Sequence, residues 1–223
     1  MRIAEIFYSI QGEGSLAGVP SVFVRTSGCN LRCVWCDTPY TSWYPEGGDW
    51  TLERILAAVD AYPARHVVVT GGEPMIAREI VELTHGLRAR GRHITIETAG
   101  TVFAPVACDL MSISPKLANS TPADEWEERH ERLRIQPDVV RRLMADYDYQ
   151  LKFVVARPED IAEVRDLVGM FKADSAKAIL MPEGIDASVL RERGVWLAEI
   201  CKQEGFRFSP RLHVALWGNR RGT

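Results

Sequence analysis

A predicted strand runs directly into a cysteine cluster at residues 21–36, which read SVFVRTSGCNLRCVWC. Apolar and β-branched side chains dominate its first six residues, as they do in a strand that is buried on both faces. Cys29, Cys33 and Cys36 then follow within eight residues. A tight, odd group of thiols is typical of a metal or iron–sulfur site, whereas a disulfide framework spreads its cysteines along the chain.

The same order of strand, loop and helix repeats along the chain. Apolar runs predict an opening strand at a hairpin or sheet edge, six core strands and a weak last strand: Ile3–Tyr8, Ser21–Thr26, His66–Thr70, His93–Glu97, Asp109–Ser114, Gln150–Val155, Ala176–Met181 and Arg207–Ser209. Amphipathic runs predict five helices: Thr51–Tyr62, Ala77–Arg90, Pro137–Tyr147, Pro158–Phe171 and Ala187–Glu204. This alternation predicts an α/β fold with a parallel sheet and right-handed crossovers.

The number of strands narrows the choice of architecture. About six βα units are too few to close an eight-stranded barrel. We therefore predict a partial, open TIM-like βα barrel of about six parallel strands, with a flat doubly wound sheet as the second choice. No internal repeat and no Ser/Gly linker divides the sequence, so residues 1–223 are expected to form one domain.

Polar or glycine-rich segments follow the predicted core strands. After the cysteine cluster come Thr70–Pro74, Glu97–Gly100, Ser114–Lys116 and Met181–Gly184, and Lys152 lies within a further strand. The carboxyl ends of parallel strands meet on one side of such a fold. We therefore expect these segments to surround a single site.

Composition excludes several classes of protein. The 223 residues are 46% hydrophobic and 26% charged, which is ordinary for a globular chain and not for a disordered one. A formal net charge of -3 supplies no positive field for a nucleic acid. No apolar run approaches the roughly 18 residues of a membrane span, and Glu5 stands where a signal peptide would be apolar. We expect a cytoplasmic protein that binds neither nucleic acid nor membrane.

The cysteine cluster alone leaves three interpretations open. Three thiolates on a [4Fe–4S] cluster would leave one iron free to bind a substrate or cofactor, whereas ferredoxin clusters use four cysteines. A zinc site completed by Asp37, His66 or His213 is the second interpretation, because structural zinc takes four ligands. Free thiols are the third.

The spacing C-x-x-x-C-x-aromatic-C, with Trp35 as the aromatic residue, resembles the signature of the radical S-adenosylmethionine (radical SAM) superfamily. The Gly-Gly-Glu-Pro run at residues 71–74 resembles that superfamily's motif after the second strand. In this resemblance the three cysteines hold a [4Fe–4S] cluster whose open iron binds S-adenosylmethionine.

Within the superfamily, most of the chain resembles the 7-carboxy-7-deazaguanine synthase family. The matching stretches are Glu5–Gly14 (EIFYSIQGEG), Phe23–Arg25, Cys36–Thr38, Thr70–Pro74, Glu97–Gly100, Ser114–Lys116 and Leu151–Phe153. The resemblance implies a lyase that forms 7-carboxy-7-deazaguanine from 6-carboxy-5,6,7,8-tetrahydropterin in queuosine biosynthesis. A 5′-deoxyadenosyl radical would take hydrogen from C6 of the pterin, and the rearranged product would lose ammonia.

The family also implies partners. These are Mg²⁺, a flavodoxin- or ferredoxin-like electron donor and a second copy of the chain in a homodimer. A glycyl-radical-enzyme activase, which shares the short cluster motif, is the alternative enzyme. A zinc-binding module without catalysis is the alternative outside enzymes.

The residues expected at the pterin lie in several matching segments: Ile10, Gln11, Gly12, Glu13, Arg25, Thr70 and Thr223. The planar guanidinium of Arg25 suits the substrate carboxylate, although a structural salt bridge is the alternative. Lys152 and Glu97 are the candidate catalytic residues. Lys152 lies within an apolar strand, where an unpaired ammonium is costly to bury, and Glu97 is similarly placed. Thr38 resembles the family's Mg²⁺ ligand, and a residue that caps the next turn is the alternative.

The residues expected at S-adenosylmethionine follow four strands: Trp35, Cys36, Asp37, Gly72, Glu73, Ser114, Pro115, Lys116, Gln150, Leu151, Lys152 and Phe153. Cys108 and Cys201 lie in apolar surroundings and are expected in the core. The charged run Asp124–Arg134 is expected to be a solvated loop or short helix, as a flexible insertion over the site.

Overall fold

A computed structural model describes residues 1–223 as one nine-stranded sheet flanked by helices. The strands are β1 (Arg2–Ile10), β2 (Pro20–Thr26), β3 (Gly48–Asp49), β4 (His66–Gly71), β5 (His93–Thr98), β6 (Leu110–Ile113), β7 (Tyr149–Val155), β8 (Ala178–Pro182) and β9 (Arg207–Phe208). The helices are α1 (Pro39–Ser42), α2 (Leu52–Asp60), α3 (Ile80–Ala89), α4 (Glu127–Arg134), α5 (Pro137–Asp146), α6 (Asp160–Phe171), α7 (Ala187–Glu204) and α8 (Leu212–Trp217).

The strand order is β3-β1-β2-β4-β5-β6-β7-β8-β9. From β2 to β9 every pair is parallel, whereas β1 is antiparallel to both β2 and β3. The two ends of the order do not pair, so the sheet remains open. This confirms the predicted parallel α/β fold, its six core strands and the opening hairpin, and it is consistent with a partial barrel.

The core lies between the sheet and its helices. A single cluster of 32 buried apolar residues includes Val67 and Val69 of β4, Ile94 and Ile96 of β5, and Phe153 of β7. Since side chains alternate along a strand, the residues between them face the other side of the sheet. That other side carries the polar groups described below.

One helix begins later than the sequence predicts, and a second settles an alternative that the sequence left open. The helix predicted to begin at Ala77 begins at Ile80, because Pro74–Ile76 form a 3-10 turn whose Met75 amide donates to the Glu73 carboxylate. Within the charged run Asp124–Arg134, the short helix that was one of the two expected structures is confirmed. It is α4, and His130 on this helix is buried.

No helix in residues 1–223 is both long and apolar enough to cross a membrane.

Candidate active site

A cleft opens at the carboxyl ends of the parallel strands and contains about 1110 Å³ of space, part of it open to solvent. Its lining comes from the loops after β1, β2, β4, β5, β6 and β8 and from inward side chains of the strands. Strand register brings these groups together: Arg25 pairs with Thr70, and Glu97 with Ser112. The predicted ring of strand-end segments is therefore one site.

The cysteine loop, residues 29–36, forms one wall of the cleft. All three cysteines line the cleft, and Cys33 packs with Leu31 and Ala99 in a small apolar cluster. Burial raises the pKa of Cys29 to about 11 and that of Cys33 to about 12. A bound metal centre supplies the positive charge that turns such thiols into thiolate ligands.

The donor set fits an iron–sulfur cluster better than a single ion. No three His, Cys, Asp or Glu side chains converge closely enough to hold one metal ion. A cubic cluster takes each thiolate at a different corner, so its ligands stand farther apart than those of one ion. His66 begins β4 at the opposite end of the sheet. His66 therefore cannot serve as the fourth ligand of a zinc ion bound by the three cysteines.

The Gly-Gly-Glu-Pro segment packs against the cysteine loop. A β-carbon at Gly72 would clash with the Gly28 carbonyl oxygen and come within 2.7 Å of Cys29 Cβ, so only glycine fits. Glu73 turns away from the cleft lining and is 1% exposed. Burial raises the pKa of Glu73, although its carboxylate accepts hydrogen bonds from the Thr98 hydroxyl and the Ala99 amide, both at 2.8 Å.

The lining of the same cleft also carries a set of charged residues that pair with one another, which we call the ionic wall: Glu13, Asp37, Glu97, Lys152 and Arg211. The buried Lys152 ammonium donates to Glu13 and lies 4.0 Å from the Glu97 carboxylate. Burial alone would raise the pKa of Glu13, but Lys152 and Arg211 outweigh that effect and lower it. Glu13 therefore remains charged.

Glu97 is the point at which several predicted substrate residues meet. Its carboxylate accepts from the Gln11 amide at 3.1 Å and from the Thr70 hydroxyl at 2.9 Å. These residues come from the loop after β1, from β4 and from β5. Glu97 thus joins three segments that sequence analysis had placed separately at the site.

Arg211 is the functional residue that sequence analysis missed. It is 8% exposed, its Nε donates to Glu13 at 3.1 Å, and its guanidinium also pairs with Asp37 and with the Gly184 carbonyl oxygen. These contacts join residues as much as 198 positions apart. The only local feature of the sequence is that Arg211 follows the weak last strand, from which Ser209 and Pro210 separate it.

Arg25 lines the cleft and also forms a salt bridge. Its Nε donates to Glu5 at 2.8 Å, and the Tyr40 hydroxyl donates to the same carboxylate at 2.7 Å. The salt bridge that was the alternative for Arg25 is therefore present, and the Glu5 contact leaves the other guanidinium nitrogens without a protein partner beside the cleft. Glu5 and Tyr40 were not predicted as positioning residues.

The structure also defines the contacts of two further predicted site residues, Lys116 and Thr38. The Lys116 ammonium donates to the hydroxyl and carbonyl oxygens of Ser114, at 2.8 and 2.9 Å, near the cysteine loop. Thr38 occupies the N-cap position of α1 but makes no side-chain capping bond. Its side chain lines the cleft instead. The capping alternative for Thr38 is therefore not what the structure shows.

The predicted site residues divide into two groups. Those that line the cleft are Glu13, Arg25, Cys29, Cys33, Trp35, Cys36, Asp37, Thr38, Thr70, Gly72, Glu97, Ser114, Lys116 and Lys152. Those outside its lining are Ile10, Gln11, Gly12, Glu73, Pro115, Gln150, Leu151, Phe153 and Thr223.

Most of the outer group has a structural explanation. Leu151 and Phe153 alternate with Lys152 on β7, so their side chains lie in the core. The Gln150 amide donates to Ser112 and accepts from the Ser15 amide. Gly12 packs against the His213 ring.

Three of the remaining predictions concern residues outside the cleft. The Thr223 hydroxyl donates to the Arg220 carbonyl, and Thr223 is not among the residues that line the cleft. Cys201 is in the core cluster and Cys108 packs against it, which confirms both core predictions.

Comparison with known proteins assigns this arrangement to a family. The model of the radical SAM superfamily matches residues 23–150, so the chain belongs to that superfamily. A protein named 7-carboxy-7-deazaguanine synthase from Halobacterium salinarum is 45% identical over 98% of this chain and 91% of its own length. Another of that name, from Rhodopirellula baltica, is 44% identical over 100% and 89%. The chain is a member of the 7-carboxy-7-deazaguanine synthase family.

A solved structure agrees. The crystal structure of QueE from Escherichia coli has a TM-score of 0.70 and 28% identity, and the match covers 95% of this chain and 94% of that one. The match extends over nearly the whole chain. It favours the synthase over a glycyl-radical-enzyme activase.

Proposed function

We propose that this chain is a radical SAM lyase that converts 6-carboxy-5,6,7,8-tetrahydropterin into 7-carboxy-7-deazaguanine in queuosine biosynthesis. Loss of one ammonia accounts for every atom, and the overall conversion needs no oxidant or reductant. The observation that carries this proposal is a three-cysteine loop, in a chain of this family, lining the same cleft as a set of paired charges. Thiols suit the cluster, and fixed charges suit a polar, carboxylated ring.

The cysteine wall would hold the cofactors. Cys29, Cys33 and Cys36 are the proposed ligands of a [4Fe–4S] cluster, and the cleft beside them receives S-adenosylmethionine. Together these groups supply the radical chemistry that removes hydrogen from C6 of the pterin. The chain orients them: Gly72 permits close backbone approach, and Lys116 places a cation beside an anionic cofactor group.

The ionic wall would hold the substrate. Arg25 is oriented by Glu5 to pair with the pterin carboxylate. Glu13 would offer acceptors to the edge of the ring, Gln11 would act from behind through its hydrogen bond to Glu97, and Thr70 places a hydroxyl beside Glu97. Ion pairing with Glu13 raises the pKa of Lys152 against the effect of burial, so its ammonium remains a hydrogen-bond donor at the reacting ring.

The remaining assignments complete the proposal. Thr38 would give Mg²⁺ one hydroxyl ligand, and substrate oxygens and water would supply the others, as this hard cation prefers. Residues 1–223 form a single radical SAM core domain. We propose that the protein is cytoplasmic, forms a homodimer and receives electrons from a flavodoxin- or ferredoxin-like donor.

An anaerobic assay tests the reaction. Reconstituted protein is incubated with the pterin, S-adenosylmethionine and a reductant, and 7-carboxy-7-deazaguanine and ammonia are both quantified. The proposal predicts equal amounts of the two products and no consumption of S-adenosylmethionine beyond uncoupled cleavage. A fully loaded enzyme that forms no deazapurine would contradict it, as would stoichiometric loss of the cofactor, which an activase would show.

Arg25→Lys tests recognition of the carboxylate. Lysine keeps the charge but loses the planar pair of donors, so the Kd for the pterin should rise roughly tenfold. Slow S-adenosylmethionine cleavage without substrate should persist. Arg65→Lys, on the loop before β4, is the matched control. An unchanged pterin affinity in Arg25→Lys would remove Arg25 from the substrate site.

A further inference from the structure

One segment outside the cleft holds the backbone of the cysteine loop. This clamp segment, residues 117–130, contains the 3-10 turn Ala118–Ser120 and the first half of α4. Its Ser120 carbonyl accepts from the Val34 amide at 2.9 Å, and its Asn119 carbonyl accepts from the Trp35 indole at 3.0 Å. The loop is therefore fixed on its outer side by groups that never face the cleft.

His130 is the buried centre of the clamp segment. It is 1% exposed, its Nδ1 is 3.1 Å from the Arg32 amide nitrogen, and its Nε2 is 2.9 Å from the Ser120 hydroxyl. Ser120 has one hydroxyl hydrogen, which it donates to the Leu117 carbonyl at 2.6 Å. Ser120 must then accept from His130 Nε2–H, which leaves Nδ1 bare to accept from the Arg32 amide. The hydrogen bonds therefore fix one neutral tautomer.

Arg32 stands directly before Cys33, so its amide is part of the ligand loop itself. Its guanidinium folds back onto the loop, donating to the Cys29 carbonyl at 2.9 Å, and stacks 4.3 Å from the Trp126 ring centre. Without His130 the Arg32 amide would lose its buried acceptor. An orphaned buried donor is costly, and the loop would relax to regain a partner.

We propose that His130 is a positioning residue for the iron–sulfur cluster. Through the chain Leu117 carbonyl, Ser120 hydroxyl, imidazole and Arg32 amide, it holds the cysteine loop in the shape that receives the cluster. This role rests on the proposed assignment of Cys29, Cys33 and Cys36 as cluster ligands. Groups behind the direct ligands commonly contribute about 10–100-fold to metal affinity.

Cluster retention tests this role. Wild type, His130→Ala, His130→Asn and Ser120→Ala are reconstituted anaerobically, and the rate of iron loss to a chelator is measured. His130→Asn can place a carbonyl oxygen near the position of Nδ1 and so restore the acceptor. His85→Ala, at an exposed site on α3, is the matched control. Thermal unfolding of each apo-protein reports any general loss of stability.

We expect His130→Ala to lose iron roughly tenfold faster than wild type or His85→Ala. His130→Asn should recover much of that loss, with Ser120→Ala intermediate. Equal rates of iron loss in wild type and His130→Ala overturn the proposal. So does a set of variants in which the rate of iron loss is explained entirely by the melting temperature of the apo-protein. If His130→Ala does not fold, Ser120→Ala with wild-type retention overturns it. Failure of the wild type to take up iron would instead contradict the proposed function.

Discussion

The two walls of the cleft are built by different physical means. Backbone contacts determine the shape of the cysteine wall. Gly72 has no side chain and lets the cysteine loop pack closely, and the backbone amides of Arg32 and Val34 donate hydrogen bonds to His130 and Ser120 on the outer side of the loop. The ionic wall is shaped by charge, because Glu13, Lys152 and Arg211 hold each other across segments far apart in sequence. One wall therefore suits the cofactors that the superfamily implies, and the other suits a polar substrate.

This difference implies that the walls can be disabled separately. Loss of the cysteine wall should abolish all chemistry. Loss of one charge should leave cofactor cleavage and damage only its coupling to the pterin.

Cys33→Ala should have the largest effect. It removes the most buried of the three thiols, so the protein should take up little iron and cleave no S-adenosylmethionine. Cys108→Ala, outside the cleft, is the control and should load normally. Iron content and 5′-deoxyadenosine formation measure both. Full cofactor cleavage by Cys33→Ala would show that the loop is not the cluster site.

Arg211→Gln should be the next most damaging change. It leaves the carboxylates of Glu13 and Asp37 without their shared cation, and breaking a buried pair costs about 3–5 kcal/mol. We expect kcat/KM for the pterin to fall roughly a hundredfold, or about 3 kcal/mol. Iron content should not change.

Arg141→Gln, on the exposed side of α5, provides the comparison for Arg211→Gln. If Arg211→Gln lost iron in proportion to its loss of activity, the ionic wall and the cysteine wall could not be disabled independently. Unchanged pterin kinetics would mean that Arg211 is only a structural residue.

How much of this site the sequence predicts depends on the wall. The cysteine wall is encoded in short spacings, so Cys29, Cys33, Cys36 and the Gly-Gly-Glu-Pro segment were all placed correctly at strand ends. Arg211 was missed because its partners are remote in sequence, and no local pattern marks an arginine as buried.

The fold was also predicted well where the signal is local and less well where it depends on contacts in three dimensions. Apolar runs placed six core strands, but Leu151 and Phe153 were assigned to the cofactor together with Lys152, although strand alternation sends them to the core. The charged surface of α4 suggested a flexible insertion. Its one buried histidine bonds both the Ser120 hydroxyl and the Arg32 amide of the cysteine loop, contacts that are visible only in three dimensions.

The free energy of unfolding of the cofactor-free protein should depend on pH through the ionic wall. Lys152 and Arg211 lower the pKa of Glu13 below its ordinary 4.5 despite burial. Its charge therefore contributes stability that is complete above pH 4.5 and is lost as pH falls toward the folded pKa.

Glu13→Gln removes this contribution, so the gap in unfolding free energy between wild type and variant should narrow by at least about 1 kcal/mol on acidification. Chemical denaturation between pH 6 and pH 3 measures it. A gap that is constant with pH would mean that Glu13 is not held charged by its partners.

Thr38→Val should have the smallest effect. It keeps the shape of the side chain and removes one hydroxyl from the cleft, so the Mg²⁺ concentration that gives half-maximal rate should rise several-fold, while the saturated rate changes little. Thr51→Val, at the exposed cap of α2, is the control. An identical Mg²⁺ response in Thr38→Val and wild type would remove Thr38 as a metal ligand.

The central claim is that the cysteine loop carries a four-iron cluster with one corner open to S-adenosylmethionine. Electron paramagnetic resonance of the reduced, reconstituted protein, recorded with and without that cofactor, tests this claim most directly. We predict a [4Fe–4S]⁺ signal that changes when S-adenosylmethionine is added. A protein that holds a single zinc ion, or a cluster whose signal is indifferent to the cofactor, would contradict the account.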